Sequence, residues 1–464
     1  MELNKGHGQK GEDEDRLGML PDDVLLSILG RVDIATAART SSLSTRWKHL
    51  PWLLREITID VNDFLPTPHP TLVEAEHMDA AMASLTKAIR SFLGAPQSEA
   101  TIITRLLQLK LYLIGDYSDL VGPLLSDAID TGILKNLDLA IVNEKEPVDC
   151  SDEDRLHQAC AIDGFFSAHP SVIHCLTSLS LDNLCFAELD MHHLLFDCYK
   201  RLRCLFLSYC DMGWLSAWKI DAPGSHLAVL ELFCCCFGKL EVLHLPKLER
   251  LCWDGWVSRD APLTLGVVPS LTELKLICAA TVPFKGFKLS NVLRGTTALE
   301  NLILSFQGET LWLQPEGKQL CTVFSRLRKL SLLDIFIEFD LLWMIILLEA
   351  APSVEVFDVE IWEHPCIVDS EGRRLTYGQR INPSWKVAEF ATRKEWQLRE
   401  LQVLGFAPME QQMTFIRAAI GALPRSERLP KERGFPKGKD EQDVVAKQLT
   451  AEIVNPHLKM IFAD

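Results

Sequence analysis

The chain has 464 residues, 48% of them hydrophobic and 24% charged, a balance that fits a folded protein and excludes wholesale disorder. Its 47 Lys+Arg against 63 Asp+Glu give a formal net charge of −16, which argues against a general nucleic-acid binder, since that class carries a basic face. At roughly 100–200 residues per domain, two to four domains are expected. The first fifteen residues are polar and read as a disordered tail, without the apolar core of a secretory signal. The longest strongly apolar stretch, Leu341 to Leu348 with Ala350 and Ala351, is far short of the ~20 residues that cross a bilayer. The 14 cysteines are scattered through apolar runs, as at Cys175, Cys185, Cys204, Cys210 and Cys278, where a thiol behaves as a small hydrophobe. The one apparent glycosylation sequon, Asn382-Pro383-Ser384, is blocked by its proline. A non-secreted protein of the nucleus or cytoplasm is expected.

Residues 16–60 read as three short helices. Leu20-Pro21-Asp22-Asp23 opens the first, with proline in the first turn and two carboxylates at the positive helix end. Val24, Leu25, Ile28, Leu29 and Val32 make an apolar stripe at helical spacing, and Gly30 is a plausible terminator. Asp33 can cap a second helix through Ala37 and Ala38. Ser41 or Ser42 starts a third, carrying Leu43, Trp47 and Leu50 before Pro51 stops it. A helical linker, 61–100, follows.

From residue 101 to 378 one pattern dominates: L-x-x-L-x-L. It runs from Leu106-Leu109-Leu111 through Leu134-Leu137-Leu139, Leu176-Leu179-Leu181, Leu202-Leu205-Leu207, Leu227-Leu230-Leu232, Leu240-Leu243-Leu245, Leu271-Leu274-Leu276 and Leu299-Leu302-Leu304 to Leu327-Leu330-Leu332. Looser copies begin at Leu248, Val354 and Leu398. Alternate residues of a strand share a face, so the second and third leucines of each unit point into one core. A single such strand cannot bury its apolar side, whereas stacked neighbours can. A period near 25 residues favours a curved solenoid over a sandwich, and segments such as Ser126–Thr131, Leu194–Leu202 and Phe339–Ala351 read as outer-layer helices. Ser180, Phe206, Glu231, His244, Lys275, Ile303 and Ser331 are expected to line the concave face. Beyond 379 a strand, a helix over Met409–Leu423 and a last helix–strand element are expected. Between them lies a basic stretch, 424–439, of six basic and two acidic residues, read as a solvated loop with turn residues rather than a nuclear address or anionic contact.

Residue for residue, LPDDVLLSIL…RTSSLSTRWKHL resembles the F-box of plant F-box proteins. The repeats resemble long, irregular leucine-rich repeats, with Cys210 and Cys235 at the turn position, and residues 379–464 resemble the FBD tail of plant proteins of this kind. The resemblance implies an α/β fold: an N-terminal three-helix F-box, then a curved leucine-rich-repeat solenoid, then a small α/β C-terminal region. It implies a non-catalytic substrate-recognition subunit of an SCF ubiquitin ligase. The F-box would dock a Skp-type adaptor, and through it a cullin and a RING subunit, while the repeats bind a protein substrate. Adaptor contact is then expected at Leu20, Pro21, Val24, Leu25, Ile28, Leu29, Leu43, Trp47 and Leu50. Alternatives are a small-molecule sensor, or an adaptor-bound scaffold without proteolysis. A sensor of the polyphosphate-bearing kind needs clustered cations, whereas Lys110, Lys135, Arg203, Arg250, Lys275, Arg328 and Lys329 are dilute and mixed with Glu241 and Glu273.

Other constellations point nowhere. Gly6-His7-Gly8-Gln9-Lys10-Gly11 has no strand before it, so it cannot hold a dinucleotide. The Gly-Lys pairs at 238, 317 and 438 are not phosphate loops, and no C-x-x-C pair occurs. His193, Asp197 and Cys198 can share a helix face but offer no fourth metal ligand. No cofactor, metal, nucleic acid or membrane is expected.

Overall fold

The computed structural model describes residues 19–40, 43–44, 46–48, 50–66, 74–93, 105–187, 189–190, 192–197, 201–213, 215–256, 258, 260–278, 286–307, 311–314, 316–336, 339, 341–362, 397–406 and 410–420. The polar N-terminus with its glycine motif, Ser41, Ser42, the proline-blocked sequon, the basic stretch 424–439 and the final helix–strand element lie outside them. Two compact units result, one of Met1–Ala140 with Ala168–Cys175 and one of Ile141–Ser167 with Leu176–Asp464.

The first unit opens with α1 (Asp22–Leu29), with Pro21 at its N-cap, Asp22 and Asp23 in the first turn, and Gly30 at its end. Before α2 (Ile34–Thr40), Asp33 Oδ1 accepts the Thr36 N–H at 2.8 Å, and the Thr36 side chain together with that backbone bond holds the Asp33 carboxyl below its ordinary value. The expected third helix is not continuous among the described residues: 46–48 form a turn and Leu50–Leu53 a 3₁₀ turn. The Ser44 hydroxyl takes the Trp47 N–H at 3.4 Å, offering the backbone a local alternative to the helix, and Pro51 then removes a donor.

Next comes a strand with no leucine pattern, β1 (Glu56–Asp60), within the segment read as helical. It pairs in parallel with β2 (Arg105–Tyr112), beside which lies β3 (Leu134–Val142). Ile57 and Ile59 are buried against α3 (Ala75–Leu93), whose Met78, Met82, Leu85, Ile89 and Phe92 form the inward stripe of the expected linker. Trp52 stacks on Phe92 with centroids 5.4 Å apart. The helix α4 (Tyr117–Asp130) follows β2; after β3 the chain runs through α5 (Asp152–Ala168), which but for its last residue belongs to the second unit, and returns as α6 (Pro170–Cys175), which packs on α4.

In the second unit the strands are β4 (Leu176–Asp182), β5 (Cys204–Ser208), β6 (Ala217–Asp221), β7 (Val229–Phe233), β8 (Lys239–His244), β9 (Arg250–Trp256), β10 (Leu263–Val267) and β11 (Glu273–Cys278). After the short α7 (Leu289–Val292) come β12 (Asn301–Ser305), β13 (Lys329–Phe336), α8 (Trp343–Ala350), β14 (Val356–Trp362), β15 (Glu400–Leu404) and α9 (Glu410–Ile420). Nine strands form one parallel ladder in the order β4-β5-β7-β9-β11-β12-β13-β14-β15. Its register runs Leu179, Leu205, Leu230, Leu251, Leu274, Leu302, Leu330, Phe357 and Leu401, all fully buried. Each of these buried side chains contributes roughly 1.5–3 kcal/mol of transfer free energy. β15, which holds the looser copy beginning at Leu398, ends the ladder.

The unit Leu240-Leu243-Leu245 is not part of this ladder. It belongs to β8, which pairs with β6 and β10 in a separate three-stranded parallel sheet. Strand alternation buries Leu240 and Val242 and leaves Leu243 half exposed, so the leucine spacing there is not the inward spacing. The short gaps on either side of Leu240 thus mark two strands per repeat. Near this second sheet the backbones approach closely: a Cβ on Gly266 would sit 2.4 Å from the Leu243 carbonyl oxygen, and one on Gly295 1.8 Å from the Gly266 oxygen.

Past three successive ladder strands the chain turns through left-handed residues, Asn183, Tyr209 and Cys234, with φ of 57°, 53° and 48°. Each donates its N–H to the next strand, to the carbonyls of Ser208, Phe233 and Asp254. The thiols of Cys210 and Cys235 then donate to the carbonyls of Leu181 and Leu207, one repeat back. Those two cysteines therefore act as the turn residues of their repeats, and burial pushes the Cys235 thiol well up.

Candidate functional site

Two surfaces collect the residues singled out above. On the F-box segment α1 divides them. Leu25 and Leu29 point inward and are buried, as are Leu50 and Trp47, which is only 6% exposed. On the other side of the helix Val24 and Ile28, one turn apart, are 39% and 38% exposed, Pro21 is exposed, and Leu20 is half buried. Leu43 is 67% exposed. Met19, Val32 and Leu53, not singled out for this surface, add further exposed apolar area. Exposed apolar side chains in such number on so short a segment make it a candidate contact surface. Its edge is fixed by Arg46, whose Nη2 and Nε reach Asp22 Oδ1 at 2.6 and 2.9 Å, while Nη2 also donates to the Leu20 carbonyl.

The second surface is the open face of the ladder. Ser180, Phe206, Glu231, Lys275, Ile303 and Ser331 follow one another in register, although Ser331 is itself buried, and Cys252, Asp358 and Gln402 complete their row. His244 does not share it. It ends β8 on the separate sheet, where its Nδ1 meets Asp221 Oδ1 at 2.7 Å. Four of the seven cations named above lie against carboxylates. Arg250 lies 3.2 Å from Glu273, Arg328 2.7 Å from Glu355, Lys329 2.8 Å from Asp358, and Lys110 3.7 Å from Asp60. In the middle of the row burial drives the Cys252 thiol up to about 11.

Pattern reading also missed an ion pair between a half-buried arginine and a buried carboxylate. Arg155 of α5 reaches the Asp211 carboxylate and the Tyr209 carbonyl at the turn after β5, while Asp211 Oδ1 accepts the Gly213 N–H at 2.8 Å. The two lie 56 positions apart, so no local spacing could have signalled the pair. His193 Nδ1 does approach Asp197 Oδ2, at 3.2 Å, but no group among the described residues could hold a metal ion, and Cys198 lies outside them. No helix among the described residues is long and apolar enough to cross a membrane.

Comparison with known proteins follows the same division. The F-box domain model matches residues 17–51, and the model described as At1g61320/AtMIF1, LRR domain, matches residues 158–414, more than half of the chain. F-box protein At3g59000 of Arabidopsis thaliana is 28% identical over 279 residues, 58% of this chain and 53% of that protein. The chain thus spans about half the length of that curated relative. Neither model names a catalytic family. A mixed α/β chain with an F-box in front of a large parallel sheet, it belongs to the At1g61320/AtMIF1 leucine-rich-repeat family.

Proposed function

We propose that the chain is the substrate-recognition subunit of an SCF-type ubiquitin ligase. F-box domains generally bind Skp-type adaptors and leucine-rich repeats bind protein targets, and this chain has both. The observation that carries the reading is the outward set Pro21, Val24, Ile28 and Leu43 on the F-box segment, with Leu20 at its edge. In this reading these residues dock the adaptor, which brings a cullin and a RING subunit, while Leu25, Leu29, Trp47 and Leu50 hold the surface in shape from beneath. The ladder is the inner layer of a curved solenoid and binds the protein substrate. Tethering then raises the effective concentration of substrate lysines near the charged conjugating enzyme, so the chain itself does no bond chemistry. The sequence of β15 followed by α9 supports an FBD-like reading of the C-terminal region. Nucleus or cytoplasm is the compartment that goes with this role.

The test is co-purification from plant cells of the full chain and of its Val24→Glu/Ile28→Glu variant. Wild type should bring down adaptor, cullin and RING subunits, and the variant none of them at equal expression. Equal recovery with both would refute the docking surface.

A further inference from the structure

The strand ends of the ladder carry a run of groups with no role so far. In register, Asp182, Ser208, Phe233, Asp254, Ile277 and Ser305 follow one another across β4, β5, β7, β9, β11 and β12. On β13 the register shifts between Leu332 and Ile335, and Asp334, at a left-handed φ of 56°, turns its carboxylate to the Ser305 hydroxyl. Glu360 follows near the end of β14.

Two independent features meet here. Phe233 is 45% exposed and stands edge-on to Tyr209, with centroids 5.5 Å apart and planes at 85°. Such ring faces attract guanidinium and ammonium groups. Asp254 on the neighbouring strand, and Asp334 and Glu360 further along the ladder, are half buried. Burial, with the Asp334 charge added, holds the carboxyls of both Asp254 and Glu360 above their ordinary value, and Lys275 of β11 offsets only part of this at Asp254. A cation arriving there relieves repulsion already present in the fold. From β9 to β14 is four strand steps, about 19 Å, the length of roughly six extended residues.

We propose that these strand ends recognise an extended, arginine- and lysine-bearing segment of a partner protein, with arginine over Phe233 and Tyr209 and the remaining cations on Asp254, Asp334 and Glu360. Naming that partner a ubiquitination substrate rests on the receptor reading above; the surface itself does not.

The test uses the purified full chain and a fluorescein-labelled peptide of about twelve residues, alternating Arg and Ala, read by anisotropy in ~0.15 M salt. A Glu–Ala peptide of equal length is the control. The Arg peptide should bind and the Glu peptide should not. Asp254→Asn/Asp334→Asn/Glu360→Gln should weaken binding roughly tenfold or more, and Phe233→Ala at least about threefold. The triple variant only moves the net charge from −16 to −13, so diffuse attraction would lose far less. Unchanged affinity in a folded triple variant overturns the proposal. Should that variant not fold, unchanged affinity in both Asp334→Asn and Phe233→Ala overturns it instead. Binding that emerges only after residues 424–439 are deleted would assign the surface to the chain's own basic stretch and also overturn it. Adaptor binding is measured on the same preparations. Its loss would count against the receptor role and leave the peptide result standing.

Discussion

Arg46 reaches back across 24 residues to Asp22, and the nitrogen that meets the carboxylate also holds the Leu20 carbonyl. Leu20 and Pro21 are thereby fixed at the start of α1, next to the outward face of Val24 and Ile28. Both partners of the ion pair are substantially exposed, so the pair itself contributes no more than about 1 kcal/mol. Arg46→Ala should therefore barely change the thermal midpoint but weaken the adaptor complex, as titration calorimetry would register. A large fall in midpoint with unchanged affinity would give the arginine a purely structural role.

Trp47 belongs to the inside of the segment. Truncation to Ala should cost roughly 3–5 kcal/mol and melt the F-box segment, visible as lost helical circular dichroism. Trp47→Phe should lower the midpoint while leaving adaptor affinity nearly unchanged. A tenfold loss of affinity at an unchanged midpoint would put the ring in the interface.

The Arg155–Asp211 pair ties α5 to the turn after β5. Removing Arg155 strands the buried Asp211 carboxylate, so Arg155→Met should destabilise by about 3–5 kcal/mol in denaturant unfolding, and Asp211→Ala by less, because Arg155 is only half buried and also meets Asp152. The double variant should cost clearly less than the two single losses added together. Additivity would mean that the pair is not coupled.

Much of this fold was legible because leucine placement and strand alternation report the same quantity, which side of a strand is buried. Leu179 through Leu401 could be read directly, and so could the Asp33 cap, since both signals are local. The strand β1 escaped notice because five residues with two isoleucines carry no repeat. Leu240 misled because its spacing matched while its alternation did not. The inward turn of Trp47 and the outward turn of Val24 were not separable, because both are apolar residues at helical spacing and only packing decides between them.

A pH effect should arise at the acidic strand ends. The Asp254 and Glu360 carboxyls are raised in the fold, so their charged forms cost stability at neutral pH, and that cost is lost as pH falls through their folded values. Asp334→Asn removes the shared neighbour and keeps a side chain that tolerates a positive φ. It should raise the thermal midpoint at pH 7, with the gain shrinking as pH falls through the carboxylate range. A gain that grows on acidification would contradict this origin.

The most direct measurement is the affinity of the purified full chain for a purified Skp-type adaptor, with Val24→Glu/Ile28→Glu alongside and both proteins checked by thermal melting. The expected result is a one-to-one complex with wild type and at least a hundredfold weaker binding, about 2.7 kcal/mol, with the variant at an unchanged midpoint. No complex with the wild-type chain, or equal affinity for both, would contradict an adaptor-docking role for this F-box.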